Sequence, residues 1–386
     1  MTSIQQYFEP VNDKYIDGNQ WESTQVRNLI DIHFTASFPD LESKKIVIFH
    51  VLEYEGSDNE FIDNDYKIRD SFYSLHHYSF PATADLGNIQ LMPTRKETFS
   101  IVQHVCEYLI DLNIIPIIIG GGHDLSYAVY KAYVSLNKVI TLSIIDNKFD
   151  IGLKEDVLSS SSYLGKIISH KPSCLFNYVN LGYQEYLVSP LAVDMLEKMN
   201  FDIIRLADIK KTLSDVEPIM RNSDFLSFDI SSISYAYASA NTYSSPNGLS
   251  GREACSIFRY AGMSDKISSV GLFEYNHILD INHQTAQLIS QMIWYFIDGY
   301  TKRKNELNPN LKNCLKYTVS FDDGKNEIVF YKSKNTARWW MGVPFISDSN
   351  NRKERYFVAC SYNDYKVANQ GDIPEKWIKT FNKLSE

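Results

Sequence analysis

The sequence predicts an α/β fold: a three-layer α/β/α arrangement with a mostly parallel central sheet, followed by a C-terminal β-hairpin and helix. Three observations carry this. Short β-branched apolar runs alternate with helical patterns from about residue 44 to residue 300, and such alternation gives parallel strands joined by right-handed crossovers. One run, IIPIIIG at 114–120, is apolar throughout, as a strand buried on both faces must be. After Tyr300 the alternation stops and a polar, linker-like stretch begins.

Taken in order, KKIVIFHVLEY (44–54) reads as a strand. The segment 97–113 is helical, with Ile101, Val105, Tyr108 and Leu109 at helical spacing. The strand 114–120, the helix 124–136 and the strand 138–146 follow. Further strands are expected at 175–183, 201–207, 224–230 and 267–275, and helices at 252–262 and 285–300. Beyond the linker, 316–333 reads as two strands around an Asp-Asp-Gly turn. A final helix is expected over 374–384, with Pro in its first turn. The expected organisation is an N-terminal arm (1–40), a main α/β/α domain (41–302) and a C-terminal extension packed on it (303–386).

The chain has 386 residues, with 38 Lys and Arg against 47 Asp and Glu, a net charge of −9. That balance argues against a general nucleic-acid or membrane-surface binder. The five cysteines are scattered, odd in number and form no Cys-x-x-Cys, which excludes a zinc ribbon and makes a disulfide scaffold unexpected. The N-terminus shows no signal-peptide pattern. The longest apolar run is far short of the roughly 20 residues a membrane helix needs. A cytoplasmic setting is the expectation.

Ligands in open parallel sheets bind at the carboxyl ends of strands. Here IPIIIGGG runs into His123, VITLSIID ends at Asp146 with Asp150 close behind, DFLSFD ends at Asp229, and SSVGLFE ends at Glu274. Any one such Asp is ordinarily a helix N-cap. Four strands delivering a His or a carboxylate to one rim point to a ligand cluster for a divalent cation such as manganese. The Gly120–Gly122 run fits a loop where backbone passes close to a ligand. It lacks the spacing and the lysine of a phosphate-binding loop.

These pieces together resemble the ureohydrolase superfamily of arginase, agmatinase and formimidoylglutamase. The resemblance rests on GGGHD around His123, D-x-K-x-D at Asp146–Asp150, SFDIS at Ser227–Ser231, SPNGL at Ser245–Leu249 followed by Arg252 and Glu253, and GLFEYN around Glu274. DLGN at Asp85–Asn88 and NLGYQ at Asn180–Gln184 resemble the formimidoylglutamase branch most. The resemblance implies an arginase-like fold and a two-manganese site whose bridging hydroxide attacks a guanidinium or formimidoyl carbon. It implies metal ligands at His123, Asp146, Asp150 and Asp229, and catalytic roles for Asp150 and for Glu274, the latter holding the cationic end of the substrate. It also implies a substrate loop at Ser245, Asn247 and Gly248, a small-molecule substrate, and self-association into a homo-oligomer. No nucleic-acid or membrane partner is expected.

Two positions depart from the family pattern. The His expected between Asp146 and Asp150 is Lys148, and the second Asp expected after Asp229 is Ser231. Those are the private ligands of one metal; the ligands of the other remain. The resemblance thus implies one manganese or other divalent ion, with the second site absent. Three Asp (−3) would be balanced by one divalent ion (+2) and Lys148 (+1), with the ammonium expected between Asp146 and Asp229. The family's proton-shuttling His is not found after Asp150; Tyr163 lies near that place and His170 further along. Three readings stay open: a formimidoylglutamase-like hydrolase of linear amidines with impaired or lost two-manganese activity, a non-catalytic binding or scaffold relative, and a single-metal hydrolase of a different small substrate.

Overall fold

The computed structural model describes residues 4–17, 20–59, 66–152, 157–321, 326–347 and 352–385. Among these, ten strands form the main sheet: β1 (Phe8–Glu9), β2 (Asp31–Ile32), β3 (Ile46–His50), β4 (Thr83–Ile89), β5 (Ile115–Ile119), β6 (Ile140–Ile145), β7 (Leu175–Tyr183), β8 (Asp202–Arg205), β9 (Phe225–Asp229) and β10 (Ser269–Phe273). Their spatial order is β1-β4-β3-β5-β10-β9-β6-β7-β8, with β2 on β4. β1 pairs antiparallel with β4 and every other pair is parallel. The segment expected as an N-terminal arm therefore contributes two short strands to the edge of the sheet.

The three layers follow from alternation along the strands. In β5, Ile115, Ile117 and Ile119 pack with the helices Gly251–Met263 and Gln284–Tyr300. Ile118 faces the opposite core, with the helices Arg95–Asp111 and Leu125–Ser135. Burying each such side chain contributes roughly 1.5–3 kcal/mol, which is why these strands are apolar on both faces. The chain passes from β5 to β6 over two places later filled by β9 and β10. That is a topological switch, and it puts the carboxyl ends of β5, β10, β9 and β6 side by side.

Helices Gly251–Met263 and Gln284–Tyr300 approach closely through two glycines. A Cβ on Gly262 would lie 2.0 Å from the Phe296 carbonyl oxygen, and one on Gly299 2.3 Å from that of Arg259. Gly262→Ala is expected to destabilise the fold by about 1–3 kcal/mol through overpacking. Urea unfolding of the two proteins checks it, and an unchanged midpoint contradicts it.

The C-terminal extension is larger than a hairpin and a helix. Strands β11 (Cys314–Phe321), β12 (Asn326–Ser333), β13 (Trp339–Ser347) and β14 (Arg352–Cys360) form an antiparallel sheet in that order, followed by helices Tyr362–Asn369 and Glu375–Ser385. β11 and β12 pair from Cys314↔Ser333 to Phe321↔Asn326; the Asp322-Asp323-Gly324 turn expected there lies outside the described residues. Asn222 Nδ2 donates to the Ala359 carbonyl and its Oδ1 accepts from the Ala359 N–H, both at 2.9 Å. Lys379 Nζ donates to the Phe201 carbonyl at 2.9 Å. Phe201 and Asn222 precede the amino ends of β8 and β9, so the extension docks on the side of the sheet opposite the carboxyl rim. No helix of the described residues is long and apolar enough to cross a membrane.

Candidate functional site

His123, Asp146, Asp150 and Asp229 are all buried and offer ligand atoms within 4.8 Å of one another. His123 Nδ1 lies 3.8 Å from Asp146 Oδ2, 3.7 Å from Asp150 Oδ2 and 3.3 Å from Asp229 Oδ2. His123 follows the glycine turn after β5, Asp146 and Asp150 follow β6, and Asp229 ends β9. Gly121 has φ +76, and a Cβ there would lie 2.8 Å from the Glu53 carbonyl oxygen and 2.9 Å from that of Val51. The close approach that requires glycine at position 121 is to the chain's own backbone after β3.

The orientation of His123 is fixed from behind. Its Nε2 lies 2.8 Å from Ser227 Oγ and 3.0 Å from Tyr163 Oη, and Ser227 Oγ is in turn 2.7 Å from Ser126 Oγ. With the ring proton on Nε2 and donated to Ser227, the Nδ1 lone pair faces the three carboxylates. Tyr163, which the sequence places only near the missing His, packs tilted against His123, with 4.6 Å between ring centroids. His170 instead packs on Tyr127 and Tyr130.

The electrostatics favour a cation. Burial, and then the charges of Asp150 and Asp229, push the Asp146 pKa well above the carboxylate range. Asp146 Oδ2 and Asp150 Oδ2 are buried without a hydrogen-bond partner. Unpartnered carboxylate oxygens facing a histidine lone pair are costly alone and favourable around a hard or borderline divalent ion. The donor set therefore fits such an ion.

Lys148 does not place its ammonium between Asp146 and Asp229, as the sequence had led us to expect. Its N–H donates to Asp146 Oδ1 at 3.2 Å and its carbonyl accepts from Asn180 Nδ2 at 3.3 Å. Held at the backbone, the side chain leaves toward the cleft, where Nζ lies 3.6 Å from Asp150 Oδ1 and 4.8 Å from the Tyr243 ring centroid. Burial lowers its pKa, but Asp150, Asp146, Asp229 and Glu274 outweigh that and hold it above the usual lysine range. Ser231 donates its N–H to Asp229 Oδ1 at 2.6 Å, and its buried Oγ has no partner.

Glu274 sits at the end of β10 in the left-handed region, φ 66, a strained conformation for a residue with a Cβ. Its Oε1 accepts from the His123 N–H at 2.7 Å and from Ser160 Oγ; its Oε2 accepts from Ser57 Oγ and Asn59 Nδ2. Four donors fill the acceptor capacity of one carboxylate and hold the strained residue in place. Ser57, Asn59 and Ser160 were not found from sequence, because isolated Ser and Asn in loops carry no pattern.

A cleft of about 360 Å³ opens onto this rim, lined among others by Asp229, Ser231, Glu274, Lys148 and Tyr243. Ser245, Asn247 and Gly248 are not in its lining. Asn247 instead bonds Gln184, its carbonyl accepting from Gln184 Nε2 at 2.8 Å. A Cβ on Gly248 would lie 2.4 Å from the Ser234 nitrogen. Their loop packs beside the site on residues 232–234, and Asn241 and Tyr243 face the cleft.

A mostly parallel sheet with helices on both faces and a buried His–Asp cluster on its carboxyl rim is the layout of the arginase-like α/β fold. The chain belongs to the arginase family: the arginase family model matches residues 62–298. It is formimidoylglutamase-like. It is 25% identical to the Staphylococcus aureus formimidoylglutamase over 235 residues, covering 56% of this chain and 72% of that protein. The fold matches that of Trypanosoma cruzi formiminoglutamase with manganese, at TM-score 0.64 and 17% identity, over 72% of this chain and 99% of that one. It also matches the formimidoylglutamase of Bacillus subtilis, at TM-score 0.62 and 18% identity, over 72% and 91% of the two chains.

Proposed function

We propose that this protein binds one divalent cation, manganese by preference, at His123, Asp146, Asp150 and Asp229, and that its two-manganese hydrolysis of linear amidines such as N-formimidoyl-glutamate is impaired or lost. The observation that carries this reading is the convergence of four ligand atoms with two unpartnered carboxylate oxygens, beside Lys148 and Ser231 where the family pattern has His and Asp. A cation bound there supplies Lewis acidity to a substrate atom or to water. Around it Ser227 and Tyr163 orient His123, and Lys148 balances charge at the cleft mouth. Glu274, with its four donors from within the chain, holds the loops carrying Ser57 and Ser160 to the rim. That engagement speaks against its gripping a substrate cation. A non-catalytic binding role is the form this reading takes if no turnover remains.

The test is formamide release from N-formimidoyl-glutamate with manganese present. Turnover far below an ordinary enzymatic rate is expected; a rate on the order of 1 s⁻¹ or more contradicts the impaired-enzyme reading. Ser227→Ala, which removes the hydroxyl behind His123, is expected to weaken manganese binding by about 10- to 100-fold. A manganese titration of both proteins checks this, and equal affinities contradict it.

A further inference from the structure

We propose that a second cleft, between helices Arg95–Asp111 and Leu125–Ser135, is a ligand site for a small amphipathic anion: a carboxylate carried on a flat or chain-like apolar body. The cleft measures about 420 Å³, within the range of small-molecule pockets. Phe99, Tyr127 and Leu158 supply apolar walls, and Lys96 and Lys131 supply positive charge. Among the described residues, its lining holds no Asp or Glu, although the chain carries a net charge of −9. The neighbouring rim cleft carries mixed charge, with Glu55, Asp58, Asp229 and Glu274 against Arg95 and Lys148. The second cleft, with only cations among its described charged lining residues, is the one of the two that suits an anion.

Arg95 forms the partition between them. Its Nε donates to Glu53 Oε2 at 3.0 Å, one terminal nitrogen to the Leu158 carbonyl at 2.6 Å, and the other to Asp124. Its charge is thus answered inside the chain, and Lys96 and Lys131 are left to meet an anion in the cleft. Among the described residues neither lysine is ion-paired. The Arg95 guanidinium also lies 4.7 Å from the Phe99 ring centroid, which fixes one apolar wall.

The test uses the full chain and two probes with the same apolar body, 4-phenylbutyrate and 4-phenylbutylamine, followed by calorimetry. The natural protein is expected to bind the acid at least tenfold more tightly than the amine. Lys96→Glu with Lys131→Glu is expected to reverse that preference. Ser100→Trp, at an exposed position of the lining, fills the cleft and is expected to remove acid binding at least tenfold. Circular dichroism reports whether each variant is folded; should the charge-reversed protein not fold, the Ser100→Trp arm decides. No acid binding, equal binding of acid and amine, or acid binding that survives Ser100→Trp overturns the proposal.

Discussion

The double variant Lys148→His/Ser231→Asp is expected to bind a second manganese ion and to raise hydrolysis of N-formimidoyl-glutamate by about 10², equivalent to about 2.7 kcal/mol of barrier. The reasoning is local. Ser231 Oγ is buried beside Asp229 with no partner, so a carboxylate built there points into the same charged cluster. Alone it adds a fourth negative charge to carboxylates whose burial, and then mutual repulsion, already raise the Asp146 pKa. Lys148→His alone removes the cation now paired with Asp150 without completing a second ligand set. The two positions act as a unit, so each single variant is expected to do little. Recovery is expected to be partial, because the missing proton-shuttling group is worth about 10² to 10⁴ in rate. Elemental analysis and formamide release on all four proteins decide it. A double variant that holds no second ion contradicts the account of Lys148 and Ser231.

Asp85→Ala is expected to cost about 3–5 kcal/mol of stability, the usual result of leaving one partner of a buried ion pair uncompensated. Asp85 and Arg69 are both buried, joined at 2.9 Å and 3.1 Å. Asp85 also accepts from Tyr73 Oη at 2.7 Å and from the Gly87 N–H at 2.9 Å. Burial lowers the Arg69 pKa, yet Asp85 more than offsets it. Because the penalty comes from the stranded Arg69, the pair Arg69→Met/Asp85→Leu is expected to lose much less. Urea unfolding measures both; a loss below about 1 kcal/mol for Asp85→Ala contradicts the stated role.

The same residue shows where sequence reading stopped. Strands β3, β5, β6, β7, β9 and β10 were legible because burial on both faces demands apolar runs. β4, TADLGNI, was read only as a family motif. Its Asp, Gly and Asn lower strand propensity, and it is a strand because Arg69 and Tyr73 neutralise Asp85 from a neighbouring helix. That pairing is a tertiary fact with no local signature. β13 and β14 were missed for a related reason: Gly342 and Pro344 lower the strand propensity of β13, β14 opens on the charged run 352–355, and the core of their sheet packs against the last two helices.

At the site, the convergence of His123, Asp146, Asp229 and Glu274 was legible because strand order and direction determine where carboxyl ends fall. The hydrogen bonds that saturate Glu274 were not, since they come from loops distant in sequence. Nor was the direction of the Lys148 side chain, which depends on how Asn180, one strand away, holds its carbonyl.

The central claim is that the His123–Asp146–Asp150–Asp229 cluster holds one divalent ion. Elemental analysis of the purified chain after manganese loading and removal of excess metal tests it most directly. The account predicts one manganese per chain, lost when Asp146 is replaced by Ala. Two ions per chain, or none, would contradict it.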